Sequence, residues 1–229
     1  RVEDSVFAAR VDGSGGTPEL ATASDHVFAF TATDTHLVYQ GGDTTLADSL
    51  RSVPLGGGVL ATLDGDPVSA RTLEGSFLAT PGGSRVVYAV DAVRSLWSTA
   101  TDGSTGQVEI TPWLGFNGDV QPDFQITPLS TSVLFRSDLE LSGLYELYAA
   151  AVAGGGVAKV NDPAVTSRNT RDVSVTADEG CVVFQSSSSA LGPYRLYAAD
   201  LHGACTTSQI LFSDGFESGS LGAWTGAVP

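Results

Sequence analysis

The feature that most constrains this chain is a pattern that returns every 47 to 49 residues. Four segments, VFAFTATDTHLVY, SFLATPGGSRVVY, DFQITPLSTSVLF and VSVTADEGCVVF, each alternate apolar residues, reach a threonine, turn, and end on an apolar run closed by an aromatic ring. The threonines Thr31, Thr80, Thr127 and Thr176 are spaced 49, 47 and 49 apart, and a ring follows eight residues after each: Tyr39, Tyr88, Phe135 and Phe184. A second motif follows, in which Leu50, Leu96, Leu147 and Leu196 each precede a glycine by seven residues: Gly57, Gly103, Gly154 and Gly203. Val6 and Gly13 form a fifth copy of this second motif at the start. One more short apolar run closes each unit, as in VLATL, QVEIT, VAKV and SQILF.

Each unit therefore reads as four short strands, a to d, with glycine giving the positive φ that a tight c–d turn needs. Period-two alternation without helical periodicity makes the chain all-β. A four-stranded unit of this length is a β-propeller blade, a small antiparallel sheet that buries its faces only against neighbouring blades. The predicted units are residues 1–20, holding only strands c and d of an incomplete blade, then blades 21–66, 67–116, 117–163 and 164–212, and a tail at 213–229. The a strands near Val27–Thr31, Phe77–Thr80, Phe124–Thr127 and Val173–Thr176 are expected to line the central axis.

The phrases GGSRVVYAVD, YELYAAAVAGGG and YRLYAADLHG resemble the TolB-like, WD-repeat-like propeller repeats of bacterial periplasmic and secreted proteins. The likeness runs to about Phe212 and is specific to repeat type, not to ligand. It departs at the family's Pro-Asp-Gly turn, which reads Pro81-Gly82-Gly83 in one blade and Ala32-Thr33-Asp34, Pro128-Leu129-Ser130 or Ala177-Asp178-Glu179 in the others. Such propellers usually close with six or more blades, so the resemblance implies a larger propeller with further blades upstream. The alternative is a small closed propeller on which the first two strands pack as an extra layer. The ending SDGFESGSLGAWTGAVP resembles the "DGFESG…AW" endings of secreted bacterial proteins. Phe216, Leu221 and Trp224 are its candidate docking residues; it reads as a sorting or attachment signal, as a first jelly-roll strand, or as a cover on the last blade.

Cys181 opens strand b of the last blade and Cys205 follows its strand c. An antiparallel b–c pair brings both to one edge, so a disulfide is expected, and with it an extracellular or periplasmic location. The alternative is two buried thiols. The net charge of −15 repels phosphate backbones and anionic lipids, which excludes nucleic acid and membrane surfaces as favoured partners. The longest uncharged stretch, Gly180 to Tyr194, is 15 residues and polar, too short for a membrane span.

The chain carries few chemical motifs. GxSxG, HExxH, a P-loop and a dinucleotide-binding GxGxxG are absent, and His26, His36 and His202 read as surface or strand-edge residues. Asp64, Asp66, Asp123 and Asp172 lie near the loops entering strand a, where a carbohydrate-active propeller would hold its acids. The tetrads FAFT, FLAT, FQIT and VSVT of the inner strands carry no carboxylate. No cofactor is expected; Asp64-Gly65-Asp66 is a candidate calcium segment without an EF-hand loop. The loops Asp64–Leu73, Thr111–Gln121 and Val160–Arg171 share one rim, whose candidate binding residues are Trp113, Phe116, Asp64, Asp66 and Arg71. Trp113 either anchors a partner there or fills the space between two blades. The expected function is a non-catalytic secreted or periplasmic scaffold that binds protein, with the remaining blades, another protein or a further copy as partner. The rival is a carbohydrate-active enzyme or glycan-binding propeller.

Overall fold

A computed structural model describes residues 6–7, 9, 19–21, 26–42, 49–64, 72–90, 95–111, 119–161, 169–187, 193–201 and 209–212. These are strands, a bridge, turns, bends and irregular segments, with no helix among them. A two-stranded pair, β1 (Val6–Phe7) and β2 (Glu19–Ala21), precedes four complete sheets. Blade I holds β3 (His26–Ala32), β4 (His36–Gly42), β5 (Ser49–Pro54) and β6 (Ala61–Thr62). Blade II holds β7 (Thr72–Ala79), β8 (Arg85–Val90), β9 (Ser95–Ala100) and β10 (Val108–Glu109). Blade III comprises β11 (Gln125–Ile126), β12 (Ser132–Ser137), β13 (Glu146–Ala151) and β14 (Val157–Lys159). Blade IV comprises β15 (Asn169–Val175), β16 (Cys181–Ser187), β17 (Arg195–Asp200) and β18 (Gln209–Phe212). In every sheet the spatial order follows the chain order and each neighbouring pair is antiparallel, the meander that the repeat implies.

The apolar runs of the b strands follow from where the core lies. A four-stranded sheet has no interior, so each b strand must bury both faces against the sheets on either side. In β8, Val86, Tyr88 and Val90 pack with Val38, Leu50 and Leu63 of blade I, while Val87 and Ala89 pack with Phe124, Val133 and Phe135 of blade III. The next seam repeats the arrangement, with Leu134 and Leu147 of blade III against Val182 and Phe184 of blade IV. Each such side chain contributes about 1.5–3 kcal/mol by leaving water. That gain exists only when two blades are in place.

The repeat's aromatic ring has a fixed partner directly opposite on strand c. Tyr39 faces Arg51, Tyr88 faces Trp97, Phe135 faces Tyr148 and Phe184 faces Tyr197. The last two pairs stack at centroid separations of 5.8 and 5.6 Å, an arrangement that adds about 0.5–1.5 kcal/mol beyond area burial.

Burial raises the phenol pKa of Tyr39, Tyr88 and Tyr148 above its ordinary value of 10.0; nearby carboxylates, Asp64 for Tyr88 and first Glu146 for Tyr148, add to the effect. An acid whose folded pKa is raised keeps its proton longer in the folded than in the unfolded state. This contribution is therefore complete below the unfolded value and is lost as pH climbs above it. Unfolding midpoints in urea should accordingly fall above about pH 10. A midpoint unchanged from pH 9 to 11 would contradict the burial of these rings.

Candidate functional site

The repeat threonine is the first residue whose local role the structure defines. Thr80 Oγ1 accepts the Arg85 N–H at 3.1 Å and donates to the Arg85 carbonyl at 3.2 Å, so one hydroxyl closes the a–b turn twice. Thr127 does the same with Ser132 at 3.0 Å in both directions. Thr176 Oγ1 accepts the Cys181 N–H at 3.0 Å and stands 3.2 Å from the Cys181 carbonyl, and it also donates to the Asp178 carboxylate at 2.6 Å. That bond, first among its causes, holds the Asp178 pKa below the usual carboxylate range.

Blade I corrects the sequence reading. There the latch is Thr33, not Thr31: its Oγ1 accepts the His36 N–H at 2.9 Å and stands 3.2 Å from the His36 carbonyl. The register agrees, since Ala32 pairs with Leu37 where Ala79 pairs with Val86. The turn is two residues shorter than in the other blades, and the spacing of 49 to Thr31 is a coincidence of the run Thr31-Ala32-Thr33-Asp34-Thr35. Replacing the buried Thr127 by valine should cost about 1–2 kcal/mol, because two bonds go and a half-buried N–H loses its acceptor. A chemical-denaturation midpoint equal to that of the parent would exclude the latch.

Polar bonds then join blade to blade. Ser130 Oγ of blade III accepts the Gly82 N–H of blade II at 3.0 Å, and Ser98 Oγ donates to the Val152 carbonyl at 2.6 Å. The Gln107 amide donates to the Leu63 carbonyl across the first seam at 2.9 Å. Across the last seam the Gln125 amide donates to the Val173 carbonyl at 2.9 Å and Arg136 Nη1 to the Thr170 carbonyl at 3.0 Å. The buried carboxylate of Glu179 accepts from the Leu129 N–H and the Thr131 hydroxyl, clasping the turns of blades III and IV. Ser130 and Glu179 occupy the left-handed turn position that Gly83 fills in blade II, with φ of 65°, 57° and 69°. The sequence marks these residues only as departures from the family's turn.

The c–d glycines have a second reason for being glycine. Gly57, Gly103 and Gly154 all have positive φ, as the turn requires. A Cβ on Gly154 would also fall 2.3 Å from Val108 Cγ1 of blade II, and one on Gly103 would fall 2.9 Å from Ala61 Cβ of blade I. Gly13 and Gly203 lie outside the described residues.

The candidate acids are dispersed among different surroundings. Asp123 is ion-paired to Arg136, the same guanidinium that reaches Thr170 of blade IV. Asp172 sits exposed at a bulge in β15, with φ 49° and its carboxylate 3.5 Å from Arg171. Strand a of blade IV thus runs longer than its VSVT tetrad and does include a carboxylate. Asp64 lies half-buried near Tyr88. Among the described residues no three His, Cys, Asp or Glu side chains form a metal-binding group. Asp66, Arg71, Trp113 and Phe116 of the expected rim, Gly65 of the calcium segment, and Phe216, Leu221 and Trp224 of the tail lie outside the described residues.

Cys181 is the first residue of β16 and pairs with Asp200, the last of β17. Cys205, five residues further on, lies outside the described residues, and among the described residues no cysteine is a free thiol. A Cys181–Cys205 bond would close a loop of about 25 residues, contributing roughly 3 kcal/mol. Peptide mapping without reductant should recover the two half-cystines joined. Two alkylatable thiols would discard the bond.

The outer faces of the stack differ from the seams. Phe30 of β3, opposite Tyr39, is 70% exposed, whereas Phe77, opposite Tyr88, is 5% exposed, and Phe124, which packs with Phe135 in the next seam, is 4% exposed. On that side of blade I, Leu20 of β2 packs with Leu37, Tyr39 and Val53. At the other end, Val183 and Leu196 of blade IV are partly exposed, although their equivalents Val38 and Leu50, Val87 and Leu96, and Leu134 and Leu147 are all buried.

No protein-family model matches the sequence, and no curated protein matches it. Solved structures do. TolB from Acinetobacter baumannii aligns with a TM-score of 0.50 and 14% identity, over 89% of this chain and 48% of that one. A puromycin-hydrolyzing peptidase from Mycobacterium tuberculosis aligns with a TM-score of 0.54 and 15% identity, over 81% of this chain and 30% of that one. In fold, this chain is a series of β-propeller blades. The chain spans about half the length of the first of these structures and under a third of the second. No helix among the described residues is long and apolar enough to cross a membrane.

Proposed function

We propose that this chain is a non-catalytic propeller scaffold, secreted or periplasmic, that binds protein through the blade faces its own sheets leave open. The observation that carries the reading is the exposure of Phe30 on blade I, at a position whose equivalents are buried in the next two blades. Apolar surface of this kind, continuous with a packed seam, is the usual mark of a protein contact. The surroundings of the carboxylates support the non-catalytic part: Asp123 and Glu179 are held in bonds that join blades III and IV. The expected disulfide supports an oxidising compartment.

The rival reading, hydrolysis of glycans by acids near the mouth of the channel, is tested directly. Purified protein should release no reducing ends from a panel of plant and bacterial oligosaccharides. Hydrolysis that disappears in Asp64→Ala or Asp123→Ala would overturn the scaffold.

A further inference from the structure

The outward face of blade IV presents a guanidinium that the sheet itself holds in place. In β16, Val182 and Phe184 pack into the seam with blade III, so Val183 and Gln185 face the other way, and both are half-buried. Gln185 pairs with Arg171 of β15 and with Leu196 of β17, and residues directly opposite in an antiparallel sheet share a face. Arg171 reaches this face through a bulge. It pairs with Gln185 while Ser174 pairs with Val183, so β15 takes three steps where β16 takes two, and Asp172 at φ 49° supplies the extra one. In a regular strand, residues 171 and 174 would point to opposite faces. The guanidinium carbon of Arg171 lies 3.5 Å from the centroid of the Tyr194 ring, Nε donates to Gln185 Oε1 at 3.1 Å, and the Asp172 carboxylate stands 3.5 Å from Nε. These contacts use the Nε edge and one flat side. Nη1 and Nη2 have no partner among the described residues, and the side chain is 49% exposed.

We propose that this face binds an extended peptide segment of a partner protein through one acidic side chain, received on the Nη1–Nη2 edge of Arg171, with an apolar side chain two residues away resting on Val183 and Leu196. This rests on the scaffold reading and gives the chemistry of one partner. Two parallel N–H groups match a carboxylate, and a guanidinium already fixed by a ring and a hydrogen bond loses little freedom on binding. Blade III contains the same chemistry at the same height: Arg136, at the position Gln185 holds in blade IV, pairs through Nη2 with the Asp123 carboxylate at 2.5 Å. Asp172 and the net charge of −15 disfavour a dianion such as phosphate more than a single carboxylate. An acidic sugar fits less well, because Arg171 covers the Tyr194 ring face on which a sugar would stack. The spacing follows from the sheet. Val183 and Gln185 are two residues apart on one face, about 6.8 Å, the step that separates alternate side chains of an extended peptide.

The probe is an acetylated and amidated peptide, Gly-Thr-Asp-Thr-Leu-Thr-Gly, titrated into the 229-residue chain and followed by NMR. It should shift the Gln185 side-chain amide and the Val183 and Leu196 methyl groups together and saturably. Asn in place of the peptide's Asp should weaken binding at least about fivefold, as should Arg171→Lys, which keeps the charge and loses the fork. The peptide's own change tests the contact with the protein unaltered. Tyr194→Leu, which keeps apolar cover and removes the ring, should weaken binding about two- to fivefold. Equal affinity for the Asp and Asn peptides, or for the parent and Arg171→Lys proteins, would overturn the proposal, as would the lack of any saturable shift. So would shifts of the same resonances by glucuronic acid oligosaccharides and not by the peptide, since the carboxylate would then belong to a glycan. Failure here with no glycan hydrolysis overturns this site alone and leaves the non-catalytic reading intact.

Discussion

Gly154→Ala is expected to destabilise the protein by about 2–4 kcal/mol, the sum of two effects. A Cβ at φ +89° is strained by about 1–2 kcal/mol, and its overlap with Val108 Cγ1 at 2.3 Å forces a packed seam apart at about 1–3 kcal/mol. Gly57→Ala isolates the first effect, because a Cβ there meets nothing within 4 Å although φ is +81°. It should cost only about 1–2 kcal/mol. Adding Val108→Ala to Gly154→Ala should recover most of the difference between the two. Urea denaturation measures all three. Equal losses for Gly154→Ala and Gly57→Ala would mean that the c–d turn of blade III does not press on blade II.

Glu179→Ala should cost about 3 kcal/mol, a large effect for a turn residue. The substitution leaves the Leu129 N–H and the Thr131 hydroxyl without their acceptor, and a bond to a charged group contributes about 1.5–3 kcal/mol. Glu179→Gln keeps one acceptor oxygen and should lose roughly half as much. The loss should loosen blade IV first, so that amides of β16 and β17 exchange faster than those of β8 and β9. A uniform increase over all four blades would show that Glu179 supports the whole stack and not one seam.

The repeat made the architecture readable because each blade solves one packing problem with the same residues. Rings at Tyr88, Phe135 and Phe184, leucines at Leu96 and Leu147, and the glycines Gly103 and Gly154 recur because each must meet a neighbour at a fixed place. The threonine of blade I was misread because Thr31, Thr33 and Thr35 alternate, and only backbone pairing decides which hydroxyl faces the turn. The clasps between blades were hidden for a different reason. Ser130, Glu179 and Gly83 fill one left-handed turn position, yet what reaches across the seam differs from blade to blade. The candidate site was less readable still. Phe30 lies in the same apolar alternation as Phe77, and which of the two is buried depends on packing against other blades, which a local pattern does not encode.

Stability in this account belongs to the seams between blades, and a double-mutant cycle across one of them is the most direct test. Leu134 of blade III and Phe184 of blade IV are buried in the same cluster although 50 residues apart. Each should cost about 2–5 kcal/mol when replaced by alanine. The double variant should depart from additivity by about 0.5–3 kcal/mol, the range for residues sharing a packed interface. Losses that add to within about 0.5 kcal/mol would contradict it.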